Sequence, residues 1–212
     1  RKMMINVTEE TQSEELSVLG SSIRESMTVL DNVARLLCNN HEVQKLATRK
    51  YKNKTQFYQD YRETDGILQD YLNLYEQDIS SIKIYLNNPT IDKYDLERIN
   101  NLSYFKETIR YQSWYKETVK NKEKGYWYFS QMNVNKGQTI QISRAVLNKN
   151  GDVAGIVTIL LQYDKTTKAL NDRDDNIAIF YNNFYVVSEN FSLDDYPFLK
   201  EEIQKIHKSR VS

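Results

Sequence analysis

The sequence predicts an α+β fold in which an antiparallel sheet is flanked by helices and preceded by a long N-terminal helix. Three observations predict it. Apolar residues recur at steps of three and four from about Glu10 to Leu46, the spacing of one helix face. The period then changes from 3.6 to 2 in Ile79 through Leu86, where Ile82, Ile84 and Leu86 alternate with Ser81, Lys83 and Tyr85. Further strand-like runs follow between Tyr126 and Tyr163, the last two joined by Asn150-Gly151, a strong hairpin signal between β-type segments.

In chain order, the stripe Leu16, Leu19, Ile23, Met27, Leu30, Val33 and Leu37 predicts a single helix over most of residues 3 to 46. At 1.5 Å per residue it would be roughly 65 Å long, so part of it is expected to project as a stalk. After a polar interval from Thr48 to Lys54, Phe57, Tyr61, Leu68, Tyr71 or Leu72, and Tyr75 mark a second helix that can pack against the first as a hairpin. Asn87-Asn88-Pro89 stops the first strand, and Thr90 to Asn101 reads as a polar loop.

Leu102 to Val119 then predicts one helix packed through Phe105, Ile109 and Trp114. Strands are predicted at Tyr126 to Met132, Thr139 to Leu147 and Asp152 to Tyr163, with Val134 to Gly137 as a turn. A helical or turn segment from Asp164 to Asn171 leads to a charged linker, Asp172-Arg173-Asp174-Asp175. Ile177 to Tyr181 and Tyr185 to Ser188 read as two strands around Asn182-Asn183, and Pro197 opens a last helical pattern through Leu199, Ile203 and Ile206. The expected division is a helical part over 1–78, a sheet-containing module over 79–190, and a C-terminal helical segment over 191–212.

Composition excludes several function classes. Lys plus Arg and Asp plus Glu number 29 each, so neither a nucleic-acid footprint nor a polybasic membrane patch is present. The single cysteine, Cys38, cannot form an intramolecular disulfide, and its apolar helical setting suits a buried small side chain. The two histidines, His41 and His207, form no helical pair, so no zinc site and no cofactor are expected. The Asp172–Asp175 run lacks the spaced ligands and glycine of a calcium loop. No nucleophile elbow or phosphate loop occurs, so no enzymatic activity is expected of the chain. No apolar run approaches the about 18–20 residues needed to span a bilayer. The start at Arg1, without a signal peptide, points to a piece of a longer protein.

The candidate binding residues lie around an aromatic-rich helix and the strands after it. With 16 Tyr and 2 Trp, such a sheet and helix can enclose a small solute between apolar walls and a few polar tips. Trp114 and Trp127 read first as core plugs and second as ligand contacts. Tyr115, pointing away from Trp114 on the helix, is the better contact, because its hydroxyl needs a partner. Arg144 sits among Ile140, Ile142, Ala145 and Val146 and, if inward, needs an anion or carboxylate. Ser143, Tyr128 and Gln141 are candidates whose face depends on strand register. Tyr85, Tyr104 and Tyr163 are candidates for the rim.

Ser113-Trp114-Tyr115-Lys116-Glu117, Gly125-Tyr126-Trp127, Ile142-Ser143-Arg144-Ala145-Val146 and Asn150 through Val157 occur in an order that resembles the Cache family of extracellular sensor domains. The element order matches over nearly the whole chain and the motifs over about residues 101 to 163. The resemblance implies a PAS-like fold and an extracellular, membrane-anchored signalling protein, with a Gram-positive sensor histidine kinase of a two-component system as the expected parent. It favours an internal pair for Arg144. The family's amino-acid-binding subset carries an arginine two residues before Trp-Tyr and a later aspartate; here position 112 is Gln and the late strand offers Asn182 and Asn183. Amino-acid specificity is therefore not carried over, while Asn182 remains a candidate contact. In two-module members a second unit follows, and the chain left before Ser212 is too short for one.

What these readings imply is a domain that binds a small polar solute and does no chemistry, in a receptor expected to be a homodimer held in the cell membrane by flanking segments. A chemoreceptor or cyclase sensor domain, or a protein-interaction module whose pocket is filled by its own aromatics, are the competing readings.

Overall fold

In the computed structural model, residues 2–91, 102–104, 107–129, 140–162, 178–181, 184–187 and 197–198 are described. The chain divides into two units: Arg1–Ile23 with Met132–Gln138 and Asp164–Ser212, and Arg24–Gln131 with Thr139–Tyr163. In the first, β6 (Ala178–Tyr181) and β7 (Phe184–Val187) pair antiparallel, as the two late strands were expected to, and Pro197 and Phe198 are helical. The predicted segments at Asp164 to Asn171 and Asp172 to Asp175 lie outside the described residues.

The second unit holds the sheet. Helix α1 (Lys2–Cys38) does not continue to residue 46. Asn40 adopts extended backbone and its side chain accepts from the amides of Glu42 at 2.8 Å and Val43 at 3.3 Å, starting a separate helix α2 (His41–Thr48). The physical reason is the Asn39-Asn40 pair: a short amide side chain competes with the helical ladder and favours a cap. Gln44 Nε2 donates to the Cys38 carbonyl at 2.6 Å, satisfying one of the acceptors that the end of α1 frees.

Asn53 caps α3 (Lys54–Leu74) in the same way, accepting from the Gln56 amide at 3.0 Å. Leu30, Leu37, Leu46, Phe57 and Leu68 are fully buried, and each contributes about 1.5–3 kcal/mol through the apolar area it removes from water.

A five-stranded sheet has the order β2 (Leu102–Tyr104), β1 (Ile79–Leu86), β5 (Val153–Leu161), β4 (Ile140–Leu147), β3 (Tyr126–Phe129). Strand β1 (Ile79–Leu86) alternates as its sequence predicts, with Ile82, Ile84 and Leu86 buried. β5 (Val153–Leu161) lies at the centre, antiparallel to both β1 and β4 (Ile140–Leu147), and is buried on both faces from Ala154 to Ile159. β3 (Tyr126–Phe129) closes one edge. Asn148 shapes the β4–β5 turn: its Oδ1 accepts from the amides of Asn150 at 2.8 Å and Asp152 at 2.9 Å, and Gly151 takes the positive φ of 78° that a side chain disfavours.

The stretch expected to be one helix from Leu102 is three elements. Leu102–Tyr104 forms β2, which pairs parallel to β1, so the sheet is antiparallel except at this edge. Glu107–Arg110 forms the short helix α4, and Gln112, in extended backbone, separates it from α5 (Ser113–Lys120). Helix propensity is a weak preference that the open edge of β1 overrides here.

The Arg24–Cys38 part of α1 meets the Arg144 side of the sheet, α2 and α3 also pack on the sheet, and α5 packs on the Ile156 side. Ser26 Oγ of α1 donates to Asp78 Oδ1 at 2.5 Å, at the foot of β1. Cys38 is buried, its thiol within 3.7 Å of the Arg144 carbonyl. Burial pushes that thiol up to about 12, as suits a packing residue.

Candidate functional site

Register assigns each side chain to a face. On the α5 side, Lys83, Thr158, Ser143 and Tyr126 lie directly opposite one another across β1, β5, β4 and β3. Tyr85, Ile156 and Ala145 form the row on one side of this line, and Ser81, Leu160, Gln141 and Tyr128 the row on the other. Alternation places Ile84, Val157, Arg144, Ile142 and Trp127 on the opposite face, toward α1.

Helix α5 lays its Trp114 side over the first face. Trp114 is 7% exposed and packs on Ile156, with Tyr85, Tyr115, Tyr126 and Tyr128 around it. The Tyr85 and Trp114 ring centroids are 5.5 Å apart. Burial raises the Tyr85 phenol above its usual range, so it stays a neutral hydroxyl. Thr118, one turn on, donates its hydroxyl to the Trp114 carbonyl at 2.7 Å and keeps that turn free of unpaired polar groups.

In the row beside Ile156 on the same face the sheet is polar. Ser143 is fully buried and Thr158 nearly so. Ser143 Oγ accepts from Gln141 Nε2 at 2.9 Å, and the Thr158 hydroxyl donates weakly to the Lys83 carbonyl at 3.4 Å. The Lys83 ammonium stands 5.4 Å from the centroid of the Tyr85 ring, a cation–π distance. The face therefore offers aromatic walls, two buried hydroxyls and a cation.

The structure brings Tyr85, Trp114, Tyr115, Tyr128 and Ser143 together, and it separates two other candidates from them. Arg144 faces α1, where its Nε and Nη2 donate to Asp31 Oδ1 at 3.1 and 2.8 Å and its Nη1 to the Glu123 carbonyl at 3.2 Å. It is an internal strut rather than a clamp on this face. Trp127 shares that opposite face as the register partner of Ile142. Tyr115 does not point away from Trp114, for their rings meet edge-on at 6.4 Å. Tyr104 sits on β2 opposite Leu86, while Asn182 and Tyr163 lie outside the described residues.

Lys83 and Thr158 were not singled out as candidates from the sequence. The signal for Lys83 was its place two residues before Tyr85 in the alternation, and for Thr158 its interruption of the apolar run from Ala154 to Leu161. Among the described residues no group of His, Cys, Asp and Glu is arranged to hold a metal.

Gly125 and Arg144 make a joint prediction. A Cβ at Gly125 would meet Ile142 Cδ1 at 2.9 Å, Asp31 Oδ1 at 3.0 Å and Arg144 Nε at 3.1 Å, so the chain passes the ion pair with no room for a side chain. Gly125→Ala is expected to cost about 1–3 kcal/mol by overpacking, read from the urea midpoint. Arg144→Met is expected to cost a similar ~1–3 kcal/mol. The lower part of that range reflects Asp31, whose side chain is 40% exposed and can be rehydrated.

No family model and no curated protein matches the chain. Solved structures do. The ligand-binding domain of the Pseudomonas aeruginosa PAO1 amino acid chemoreceptor PctC, in complex with GABA, aligns with 90% of this chain and 82% of that one at 13% identity and a TM-score of 0.53. This chain and that domain share their fold. The sensory domain of the Campylobacter jejuni chemoreceptor Tlp3 with isoleucine bound aligns over 95% of this chain and 75% of its own length, at 14% identity and a TM-score of 0.50. The Tlp3 domain with L-valine gives 86% and 70%, at 15% identity and 0.50. Of the Tlp3 domain with 4-methylisoleucine this chain spans 66%. At such identities the likeness carries the α+β, PAS-like architecture and leaves the ligand to the side chains.

Proposed function

We propose that this chain is the extracellular ligand-sensing domain of a transmembrane signalling protein and that it binds a small polar solute on the sheet face beneath Trp114. The observation that carries this reading is the row Lys83, Thr158, Ser143 and Tyr126 beside the aromatic cluster that Trp114 forms on Ile156. Buried hydroxyls beside apolar walls are what orients a small ligand, and a face serving only as core would be apolar there. The domain binds and does not catalyse.

The signal leaves through α1. Asp31 of α1 holds Arg144 of β4, and Ser26 of α1 holds Asp78 at the foot of β1, so a shift of the sheet strands is felt by the helix. Driving a receptor from 1:99 to 99:1 takes a preference of about 5.5 kcal/mol for one state, which a solute held in such a site supplies by binding the two states unequally. In a homodimer anchored by flanking membrane segments, that shift would move one α1 against its partner.

The sequence resemblance favours a Gram-positive sensor histidine kinase as the whole protein. A chemoreceptor is the second reading, supported by the output class of the PctC and Tlp3 domains, which bind amino acids or GABA. Thermal unfolding of the purified chain against a broad solute panel tests the shared claim. A true ligand at a hundred times its Kd adds about 2.7 kcal/mol of stability. A chain that no solute stabilises would instead be an interaction module with self-filled aromatics.

A further inference from the structure

We infer that the solute is a small organic anion, bearing a carboxylate and no ammonium group, whose charged end is held by Lys83. The inference rests on the sensor reading above and adds the charge of the ligand. It starts from the electrostatics of the face. By register, the described residues of this face include one cation, Lys83, and no acid. On the helix that covers them, Glu117 turns to Asn121, whose Nδ2 donates to its Oε2 at 3.5 Å on the exposed side.

Lys83 is partly buried. Among the described residues its ammonium has the Tyr85 ring as partner, and no carboxylate reaches it. An ammonium with no carboxylate partner among the described residues is open to an incoming carboxylate, which gains a charge-assisted hydrogen bond there. Next along the same row, Ser143 is fully buried and accepts from Gln141, which leaves its own hydroxyl proton uncommitted among the described residues. A buried donor of this kind calls for an acceptor.

Two strand spacings, roughly 10 Å, separate the Lys83 and Ser143 backbones. A short carboxylate therefore fits with its charge at Lys83 and a carbonyl, hydroxyl or second oxygen toward Ser143, its carbon chain lying against Trp114 and Ile156. An ammonium group on the same ligand would enter a face that already carries a positive charge and, among the described residues, offers no acid to pair with it. Such an unpaired charge discriminates against zwitterions more strongly than any missing contact would.

The test is calorimetric and thermal-shift titration of the intact chain with acetate, butyrate, lactate and succinate, with the corresponding amides, and with GABA and L-valine. Binding of at least one carboxylate, with its amide and the zwitterions at least tenfold weaker, is the expected result. Lys83→Met should then weaken that carboxylate at least tenfold, and Lys83→Arg should retain it. Should the methionine variant not fold, the carboxylate-against-amide comparison on the unaltered chain and Lys83→Gln decide. Binding of GABA, L-valine or a neutral amide, with none of acetate, butyrate, lactate and succinate binding, overturns this inference and leaves the sensor reading intact. Undiminished carboxylate binding by Lys83→Met removes Lys83 from the site. Silence of every solute in this panel overturns the inference, and silence across the broad panel overturns the sensor reading as well.

Discussion

Replacing Asp60 with alanine is expected to lower the unfolding free energy by about 3–5 kcal/mol, because it strands two cations and a phenol around a buried point. Asp60 is 3% exposed. Its carboxylate accepts from the Tyr51 hydroxyl at 2.9 Å and from Arg49 Nη1 at 3.0 and 3.2 Å, and it pairs with Lys45 at 3.3 Å. These partners come from α2 and the segment after it, so one side chain of α3 fastens the helical layer under the sheet. Lys45 also pairs with Glu42 and with Glu63, the latter at 2.6 Å, and would keep part of its compensation after the substitution.

The same residue gives a pH dependence with a definite sign. Burial pushes the Asp60 carboxyl up, but hydrogen bonds from Tyr51, Arg49 and Lys45 outweigh it and hold the group below its usual range. Its folded pKa therefore lies below its unfolded one. The stabilisation is complete above the unfolded value of about 3.9 and is lost as pH falls through the folded one. Urea midpoints measured from neutral pH down into this acid range should fall more steeply for the unaltered chain than for Asp60→Ala. Some slope persists in the variant, because the hydrogen bond from Lys45 also holds the Glu42 carboxyl low.

Trp114→Ala carries the second large effect, on stability and on binding together. Removing an indole that is 7% exposed and packed on Ile156 and Tyr85 costs about 3–5 kcal/mol, from lost apolar burial and the cavity left behind. Trp114→Phe keeps most of the packing and isolates the binding role. If the face holds a solute, the phenylalanine variant weakens its affinity by more than its modest loss of stability accounts for. Equal affinity in Trp114→Phe and the unaltered chain would assign Trp114 to the core alone. Calorimetric titration alongside urea unfolding separates the two.

How much of this was legible in the sequence depended on whether a feature was local. Period-2 alternation identified β1, and Asn150-Gly151 identified the β4–β5 turn, because both are written in adjacent residues. The Asn39-Asn40 break was also local, but the apolar stripe continuing through Val43 and Leu46 masked it. β2 was not local at all. Three residues inside a helical pattern became a strand because the β1 edge was open to pair with them, a fact of the tertiary structure.

The site followed the same division. Trp114, Tyr115 and Tyr85 cluster in space, and their aromatic density is visible in the sequence. Faces were decided by register, which moved Arg144 and Trp127 to the α1 side while aligning Lys83, Thr158 and Ser143 in one row. A one-residue difference in pairing would have reversed that assignment. Arg144 drew attention as a charge in an apolar strand, and the need for a carboxylate was correctly inferred; Asp31, 113 residues earlier, was not foreseeable as its source.

The most direct test of the central claim is a crystal structure of the chain grown with the solute that stabilises it most in thermal unfolding. The account predicts that solute on the α5 side of the sheet, in contact with Trp114 and Tyr85 and within hydrogen-bond distance of at least one of Lys83, Thr158 and Ser143. A solute seated on the α1 side beside Arg144 and Asp31, or anywhere away from that row, would contradict it.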